Sequence, residues 1–330
     1  MQPVLRAGRD DDADGFIALV SACWRDYPGC VMDLDGEVPE LRALASHFAN
    51  QGGTLLAAEQ EGRIVGMAAT RPAQDGAWEL CKMYVAAGQR GHGLAHRLLD
   101  AVEDHARAQG AANLKLWTDT RFDRAHRFYE KNSFVRSGPL RALDDISHSI
   151  EFPYVKPLAG VQLLRLDAAG AASAEARLTR ILQRCVESGA SVSYLPPVDP
   201  AVFRAFWRRV SGQVAAGTRV LLGAWVDGVL AGTAMLDLDT PSNQPHRAEV
   251  KKLLVTPEAR RRGVARLLMQ RIEAEAQQAG RSLLTLDTRA EDAGDQLYRS
   301  LRWTEAGRIP GFALNADLTP CDTLIFWKNV

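Results

Sequence analysis

A basic turn that contains glycine occurs twice in the sequence, each time with the spacing R-x-x-G-x-A. Both turns follow an apolar, strand-like run and precede apolar residues at helical spacing, so each is predicted to open a helix. The first turn of a helix offers unpaired backbone N–H groups and the positive end of the helix dipole, which together can hold a phosphate. An ordinary glycine turn with solvated arginines is the alternative, but recurrence in the same context favours phosphate binding. The predicted phosphate-binding residues are Arg90, Gly91, His92, Gly93, Leu94 and Ala95 in the first turn, and Arg260, Arg261, Arg262, Gly263, Val264 and Ala265 in the second.

The segments around the two turns repeat as well. Glu79 and Glu249 lie 170 positions apart, and the two turns keep the same offset. An Asp-Thr-Arg tripeptide follows in each copy and begins at Asp119 and at Asp287. One period of this length predicts two copies of a domain, because solenoid repeats are only about 20–50 residues long. A short linker with proline and glycine separates the copies, and the predicted domains are residues 1–157 and residues 158–330.

Each copy reads as the same series of elements. A strand, two helices and a β-hairpin lead to the strand that carries Glu79 or Glu249, and the long helix, another strand, a short helix and closing strands follow. The dipeptides Glu61-Gly62 and Asp227-Gly228 separate apolar runs and predict the hairpin turns. The predicted class is α/β, with two tandem domains that each contain a mixed, largely antiparallel sheet flanked by helices.

Composition restricts the classes of partner. The chain of 330 residues has 40 basic and 40 acidic side chains, so its zero net charge argues against nucleic acid or an anionic membrane as a partner. It shows neither an apolar run of the about 18 residues that a spanning helix needs nor the pattern of a signal peptide. Its five cysteines form no CxxC pair and no metal-ligand cluster. We therefore expect reduced thiols, a cytoplasmic location and no metal.

A family resemblance follows from the R-x-x-G-x-A turns together with a downstream A-x-x-[FL]-Y pattern. This pattern runs from Ala125 to Tyr129 in the first copy and, with Gly294 in place of the alanine, to Tyr298 in the second. The combination resembles the GNAT superfamily of acyl-CoA N-acyltransferases, and because it covers both copies the chain looks like a tandem GNAT protein. The resemblance implies that the turn binds the pyrophosphate of CoA and that strands four and five splay apart, with the pantetheine between them. Acetyl-CoA is therefore the expected co-substrate.

The same resemblance implies contacts from strand four. The backbone N–H of Met83 or Leu253 would polarise the thioester carbonyl, as in an oxyanion hole. The strand-four residues expected to meet the pantetheine and acetyl group through their backbone are Met83, Tyr84 and Val85, and Leu253, Leu254 and Val255.

Two glutamates are candidates for the general base. Glu79 and Glu249 each lie four residues before the presumed oxyanion-hole residue, Met83 or Leu253. This even spacing predicts that they share its face of the strand, and it resembles the position of the catalytic glutamate in histone-acetyltransferase-like GNATs. A glutamate so placed can accept the proton of an ammonium group, directly or through water. The alternative is a solvated strand residue.

Aspartates and tyrosines complete the candidate catalytic groups. Asp119 and Asp287 are predicted to close the fifth strand, at the edge where α/β clefts open, and could hold a cationic amine; a turn or N-cap role is the alternative. Tyr129 and Tyr298 match the family's tyrosine and could protonate the leaving thiolate; the alternative is a core aromatic.

Neighbouring positions receive less reactive roles. His92 is interpreted as a phosphate neighbour or a solvated side chain. Lys82 and Lys252 are expected to be exposed strand residues.

The acceptor is inferred only from resemblance. The D-T-R…L-Y layout of the second copy resembles small-molecule GNATs that inactivate antibiotics or toxins, such as the tabtoxin-resistance type, so a small primary amine is the expected partner and the second copy the expected active one. The segment that begins at Ser191 and ends at Pro197 would line its acceptor pocket.

Two alternative functions remain: a CoA-binding or sensing tandem module without turnover, and a mycothiol-synthase-like tandem with one structural copy. The tandem is expected to be a monomer that acts as a pseudo-dimer, or a homodimer.

Overall fold

The computed structural model of the protein contains two sheets with flanking helices. It describes residues 2–190 and 192–330. Ser191, the first residue of the segment expected to line an acceptor pocket, lies outside the described residues, as does Met1. The chain divides into an N-terminal unit that ends at Ala159 and a C-terminal unit that begins at Gly160.

The N-terminal unit contains eight described strands: β1 (Val4–Ala7), β2 (Thr54–Gln60), β3 (Arg63–Pro72), β4 (Ala77–Val85), β5 (Asn113–Asp119), β6 (Val135–Arg136), β7 (Arg141–Ala142) and β8 (Ile150–Pro157). Its α-helices are α1 (Ala13–Trp24), α2 (Leu44–Asn50), α3 (Leu94–Ala108) and α4 (Asp123–Lys131). The strands pair in the order β1-β2-β3-β4-β5-β8-β6, with β7 also on β8. Among the described pairs, only β4 with β5 is parallel.

The C-terminal unit contains seven described strands: β9 (Val161–Leu166), β10 (Arg219–Val226), β11 (Val229–Asp237), β12 (Arg247–Val255), β13 (Leu283–Arg289), β14 (Thr304–Leu314) and β15 (Pro320–Asn329). Its α-helices are α5 (Ala168–Ser173), α6 (Glu175–Glu187), α7 (Pro200–Ala215), α8 (Val264–Gln278) and α9 (Ala293–Ser300). The strand order is β14-β15-β13-β12-β11-β10-β9. This is the order of the N-terminal sheet without β7, so the predicted fold class and the repeat are confirmed.

Local sequence explains how several elements begin and turn. Both residues of each predicted hairpin turn have a positive φ, at Glu61 and Gly62 in one unit and at Asp227 and Gly228 in the other. This backbone geometry matches the twist of paired strands and favours a glycine in the second position. Helix α7 begins with Pro200, and the side chain of Asp199 accepts a hydrogen bond from a first-turn N–H, which stabilises its start.

The long helix after each turn packs on one face of its sheet. Leu98 of α3 and Leu268 of α8 are fully buried. The core around each leucine also contains side chains from the central parallel strands, β4 and β5 in one unit and β12 and β13 in the other. Burial of one such side chain contributes about 1.5–3 kcal/mol. In the N-terminal unit, α1 and α2 cover the opposite face, around Phe16 and Phe48. This packing holds the N-terminus of each long helix beside the end of strand β4 or β12.

Candidate active site

The central parallel strands of each unit separate after a short paired stretch. Strands β4 and β5 pair at three positions, the last being Glu79 with Lys115, although they continue to Val85 and Asp119. Strands β12 and β13 also pair at three positions and separate after Glu249 with Thr285. A gap therefore opens towards the carboxyl ends of both strands, and the backbone groups that line it are free to bind an extended ligand. Each candidate glutamate lies at the vertex of its gap.

A β-bulge interrupts strand four in both units. Tyr84 pairs with Met67 and Cys81 with Ala69, so Lys82 and Met83 together lie opposite a single residue of β3. In β12 the register skips Lys252 and Leu253 in the same way. Lys82 and Lys252 have φ values of 45° and 53°, a conformation unusual for a side chain other than glycine. The bulge removes its residues from the ladder and leaves backbone N–H groups at the edge of the gap.

The bulge also changes the face of strand four on which each side chain lies. Ala248 and Val250 pack on the α8 side together with Leu253. Glu249, which lies between Ala248 and Val250, therefore projects from the opposite face to the Leu253 side chain. The prediction that both share one face is wrong because the extra residue shifts the alternation; the same shift separates Glu79 from Met83. A contact through the Leu253 backbone is unaffected by this reversal.

The turn before each long helix leaves its amide groups free. Gly93 and Gly263 occupy the N-cap positions of α3 and α8 with φ values of 84° and 78°, and neither provides a side-chain cap. No atom lies within 4 Å of the position a Cβ would take at either glycine. Leu94 and Val264, the first helical residues, are buried, so they can contact a ligand only through their backbone. These turns have the free donors and open approach that a phosphate site needs.

The arginines of the turns have other partners than the sequence suggested. The side chain of Arg90 donates to the Val85 carbonyl at 3.2 Å and to Asp26 at 2.6 Å. Arg260 donates to the Val255 carbonyl at 3.3 Å and to Ser188 at 2.7 Å. These bonds tie each turn to the end of strand four and to the residues that follow α1 or α6.

In the C-terminal turn the remaining two arginines differ. Arg262 forms an ion pair with Asp227 at 2.8 Å. Arg261 is exposed, has a φ of 61° and has no ion pair among the described residues. Of the three arginines, only Arg261 lacks a side-chain partner among the described residues, and phosphate binding by all three stays a prediction. His92, in the other turn, is exposed.

Internal ion pairs hold both candidate carboxylates of the N-terminal unit. Arg71 donates to Oε2 of Glu79 through Nε at 2.9 Å and Nη2 at 2.8 Å. Arg121 binds both carboxylate oxygens of the buried Asp119, at 2.8 and 2.5 Å. Against the effect of burial, the hydrogen bonds from Arg121 lower the pKa of Asp119. Both carboxylates are therefore neutralised within the unit and poorly placed to accept a proton or hold a ligand's ammonium group.

The equivalent carboxylates of the C-terminal unit are more available. Asp237, not an arginine, lies opposite Glu249 on the neighbouring strand. Lys251 bridges the two, at 3.1 Å from Asp237 and 3.2 Å from Glu249, and Arg219 also binds Asp237. Asp287 is exposed and, within the part of the chain that the structure describes, its side chain has no hydrogen bond or ion pair. It lies inside β13 rather than at its end, because that strand continues to Arg289.

Both candidate tyrosines lie at the rim of a core. Tyr129 and Tyr298 are 8% and 7% exposed, and burial raises the pKa of each phenol. The charges of Asp287 and Asp292 raise the pKa of Tyr298 further. The presence of glycine at position 294 instead of alanine also has a structural explanation. A Cβ there would lie 2.9 Å from the Thr288 hydroxyl and 3.4 Å from the Tyr298 ring.

The bulge lysines are the functional candidates that the sequence missed. Neither is an exposed strand residue, because both are partly buried. Lys82 forms an ion pair with Glu40 at 2.9 Å. Lys252 donates to the Val192 carbonyl at 2.6 Å and to the Ser193 hydroxyl at 3.2 Å. The signal that could have found them was a lysine at the same position of both copies, three residues after the glutamate.

Two negative findings apply to residues 2–190 and 192–330. No group of three or more His, Cys, Asp or Glu side chains there is arranged to hold a metal ion. No helix in these ranges combines the length and apolarity needed to cross a bilayer.

Comparison with known proteins gives two matches within one family and several relatives. The sequence model of the Acetyltransferase (GNAT) family matches residues 16–134 and again residues 178–301. An uncharacterized N-acetyltransferase from the hisH-hisA intergenic region of Azospirillum brasilense is 33% identical over 130 residues, which are 38% of this chain and 75% of that protein. One from Mycobacterium bovis is 31% identical over 114 residues, 34% of this chain and 73% of the relative. The structure of yncA from Salmonella typhimurium, which contains its cofactor acetyl-CoA, is 19% identical with a TM-score of 0.44 and covers 52% of this chain and 94% of that one.

Each unit contains one of the two family matches, and together these span more than half of the chain. The relatives match over about the length of one unit. The predicted resemblance is thereby confirmed. The chain belongs to the GNAT acetyltransferase family as a tandem of two family domains, and it is an acyltransferase that depends on acetyl-CoA.

Proposed function

We propose that the C-terminal unit transfers the acetyl group of acetyl-CoA to the primary amine of a small cationic molecule, by direct attack within a ternary complex. The observation that carries this proposal is the difference between the two Asp-Thr-Arg tripeptides. Asp119 is buried and bound by Arg121, whereas Asp287 is exposed and lacks a partner among the described residues. An unpaired carboxylate beside the gap can bind the ammonium group of an acceptor.

The residues of the C-terminal unit fit acetyl-CoA. Gly263 and the first turn of α8 would bind the pyrophosphate through backbone N–H groups, because the turn is uncapped and open. The bulge leaves the N–H of Leu253 available to donate to the thioester oxygen. When bound, acetyl-CoA supplies an activated acetyl group. Glu249 would accept the proton of the acceptor ammonium, and Tyr298 would donate a hydrogen bond to the departing sulfur.

The thiol on strand β4 is unreactive, and this favours direct attack on acetyl-CoA by the acceptor amine. Cys81 is the cysteine of β4, and burial together with the neighbouring Glu79 raises its pKa to about 12. Almost none of it is thiolate at neutral pH, so it is a poor nucleophile. The C-terminal unit has Lys251 at the equivalent position. We therefore infer transfer without an acetylated cysteine.

A small acceptor is supported by a cavity next to the predicted acceptor segment. Its lining includes Pro196, Pro197 and Phe203, and its volume is about 470 Å³. Small-molecule sites usually occupy about 300–1,000 Å³. Apolar side chains form much of this wall, so an acceptor with an apolar portion beside its amine would fit.

The N-terminal unit is proposed to be the structural partner of the tandem. Arg121, besides binding Asp119, donates to the Ser147 carbonyl at 3.2 Å and to the Ser149 hydroxyl at 3.0 Å. Ser147 in turn accepts a hydrogen bond from the N–H of Val31 at 2.8 Å. These contacts cross-link the loop before β8 with the loop after α1. They favour the alternative in which one copy is structural.

Replacement of Asp287 by asparagine tests the acceptor site. We expect the KM for cationic amines to rise roughly 10–100-fold, because the amide keeps the shape but loses the charge. The KM for acetyl-CoA should not change. The measurement is thiol release during a screen of primary amines, with the wild type and the variant compared on every active acceptor.

Asp119→Asn is the matched control in the N-terminal unit. It should leave the KM for the acceptor unchanged, since Arg121 already neutralises this carboxylate. If Asp119→Asn raises that KM and Asp287→Asn does not, the N-terminal unit is the enzyme. Absence of thiol release with every amine would instead support a CoA-binding module without turnover.

Replacement of Ala265 by aspartate separates folding from phosphate binding. A carboxylate in the first turn of α8 interacts favourably with the helix dipole, by about 0.3–1 kcal/mol, so the melting temperature should be kept or raised. The same charge repels a phosphate, and the affinity for acetyl-CoA should fall roughly 10–100-fold. Calorimetric titration measures both affinity and stoichiometry, with Ala95→Asp as the matched variant. Unchanged affinity in both variants would remove the phosphate assignment.

A further inference from the structure

Lys252 lies in an enclosure that no step of the proposed reaction uses. The β-bulge turns its backbone to a positive φ and directs the side chain towards the segment after α6. Its Nζ lies 5.6 Å from the ring centre of Tyr194 and 5.8 Å from that of Phe206. The neighbouring residue is Leu253, whose N–H is the proposed donor to the thioester oxygen. Lys252 is thus the residue next to the proposed acetyl-binding backbone, and its amine lies on the side of the predicted acceptor segment.

A neutral amine can make the hydrogen bonds of Lys252 as well as an ammonium group can. An ammonium group has three N–H donors, whereas a neutral amine has two donors and a lone pair. Nζ has two acceptors among the described residues, the Val192 carbonyl and the Ser193 hydroxyl. It has no carboxylate within ion-pair distance in this part of the chain. Loss of one proton therefore costs no protein hydrogen bond and leaves a lone pair free.

The surroundings of Lys252 act in both directions. The faces of Tyr194 and Phe206 attract an ammonium group, whereas burial disfavours its charge. Burial lowers the pKa of Lys252 to about 8, with smaller contributions in the same direction from Lys251 and Arg219 and an opposing one from Asp287. Near pH 7.4 about a fifth of such a side chain is neutral, against about a thousandth of an ordinary lysine. No ion pair joins Lys252 to Asp287 among the described residues, so a proton that passes from Nζ to this carboxylate would travel through water.

Two other lysines provide natural contrasts. Lys251, the adjacent residue, is bound to Asp237 and Glu249. Against the effect of burial, these hydrogen bonds raise the pKa of Lys251, so it stays an ammonium group. Lys82, at the same bulge in the N-terminal unit, is held by Glu40. Of the three, only Lys252 combines the position of a nucleophile with the absence of an ion pair among the described residues.

We propose that Lys252 is itself an acetyl acceptor, which the C-terminal unit acetylates in cis when no external amine occupies the site. The inference rests on the proposed function, because it uses the same thioester and the same oxyanion-binding backbone. Nζ of the neutral amine forms a bond to the acetyl carbon, and the bond from that carbon to sulfur breaks. Nζ loses one proton and the thiolate gains one, so the products are an acetylated lysine and the free thiol of CoA.

The modification changes the site in a defined way. An acetylated Lys252 is a neutral amide that keeps one N–H donor and fills the space between Tyr194 and Phe206. It removes a positive charge that interacts with Asp287 and occupies room beside the predicted acceptor segment. Acetylation is therefore a brake that operates when acetyl-CoA is abundant and the acceptor is absent, and an acceptor amine protects the lysine.

The direct test uses the intact wild-type chain with isotope-labelled acetyl-CoA and no amine. Digestion after glutamate separates the peptide that begins after Glu249 from the rest, and mass spectrometry locates the label by fragmentation. We expect label on Lys252 to exceed that on Lys251 more than about 100-fold, because Lys251 stays an ammonium group. The initial rate per chain should not depend on protein concentration, because the transfer is intramolecular. Label spread equally over both lysines would overturn the proposal.

Two controls separate enzymatic transfer from simple reactivity. Ala265→Asp should lose labelling by acetyl-CoA in proportion to its lost affinity, while acetic anhydride should still label Lys252 in this variant. Without any CoA, competitive labelling by acetic anhydride across a pH series should give a midpoint near pH 8 for Lys252 and a much higher one for Lys251. Equal midpoints, or labelling by acetyl-CoA that Ala265→Asp does not reduce, would contradict the inference.

The same preparations distinguish failure of this inference from failure of the proposed function. If the wild type releases thiol with external amines but gains no label on Lys252, self-acetylation is wrong and the proposed function stands. If Lys252 is labelled and no external amine supports turnover, the inference stands and the external acceptor reaction is wrong.

Discussion

Replacing Glu249 with glutamine is expected to lower kcat roughly 10²–10⁴-fold at neutral pH, the usual contribution of a general base. Glutamine keeps the shape of the side chain but cannot accept the proton of the acceptor ammonium. Lys251 remains bound to Asp237 in the variant, so the local structure should persist, which thermal melting can verify. Activity should recover as the pH rises, about tenfold per unit until the amine reaches its own pKa, because the amine then deprotonates without help.

Glu79→Gln provides the matched comparison. Two hydrogen bonds from Arg71 already occupy Oε2 of Glu79, so kcat should be unchanged. Loss of the ion pair between Arg71 and Glu79 should lower the free energy of unfolding by about 1 kcal/mol or less, since the pair is partly exposed. If Glu79→Gln is inactive while Glu249→Gln retains the wild-type rate, the active unit has been assigned to the wrong half. A normal rate in both variants would remove the general-base role from this position.

Local sequence patterns were sufficient to predict the fold. The hairpin turns, the helices after the basic turns and the order of the strands depend on residues close together in the chain, such as Asp227 and Gly228. The repeat supported these predictions, because each element predicted in one copy could be compared with the same element in the other. The gap between the central strands came only from the family resemblance. No local pattern tells at which pair, such as Glu249 with Thr285, two parallel strands will separate.

Side-chain directions at the site could not be predicted from spacing alone. A single extra residue in β12 reversed the faces expected for Glu249 and Leu253. Nothing in the local sequence marks the bulge, because no glycine lies at Lys252 or beside it. The bulge is evident only from the pairing with β11, whose register shifts by one residue between Lys251 and Leu254.

Identical tripeptides also acquired different contacts. Arg121 folds back on Asp119, where Ser147 and Ser149 complete its hydrogen bonds. Arg289 instead binds Asp292 at 3.0 Å, which leaves Asp287 without a partner among the described residues. The partners that decide between these arrangements lie on other elements of each unit, so a motif read in isolation predicts the same role for both aspartates. This difference now supports the choice of the C-terminal unit.

Replacing Tyr298 with phenylalanine is expected to lower kcat roughly 10–10³-fold, without the recovery at high pH predicted for Glu249→Gln. Burial raises the pKa of this phenol, so it stays protonated throughout the working range and can donate a hydrogen bond to the charge that develops on the leaving sulfur. Alkaline pH restores an amine but supplies no such donor. The pH profile of the variant should therefore run parallel to that of the wild type, measured by thiol release.

Tyr129→Phe separates this role from packing. Both rings are buried beside aromatic neighbours, Tyr129 at 5.5 Å from Phe134 and Tyr298 at 5.9 Å from Phe326. Phenylalanine preserves these contacts in both units, and neither hydroxyl has a hydrogen-bond partner among the described residues, so the two variants should show similar small changes in thermal stability. Only Tyr298→Phe should lose rate. An equal loss in both would mean that the hydroxyl acts through the fold, and a wild-type rate in Tyr298→Phe would assign protonation of the thiolate to solvent.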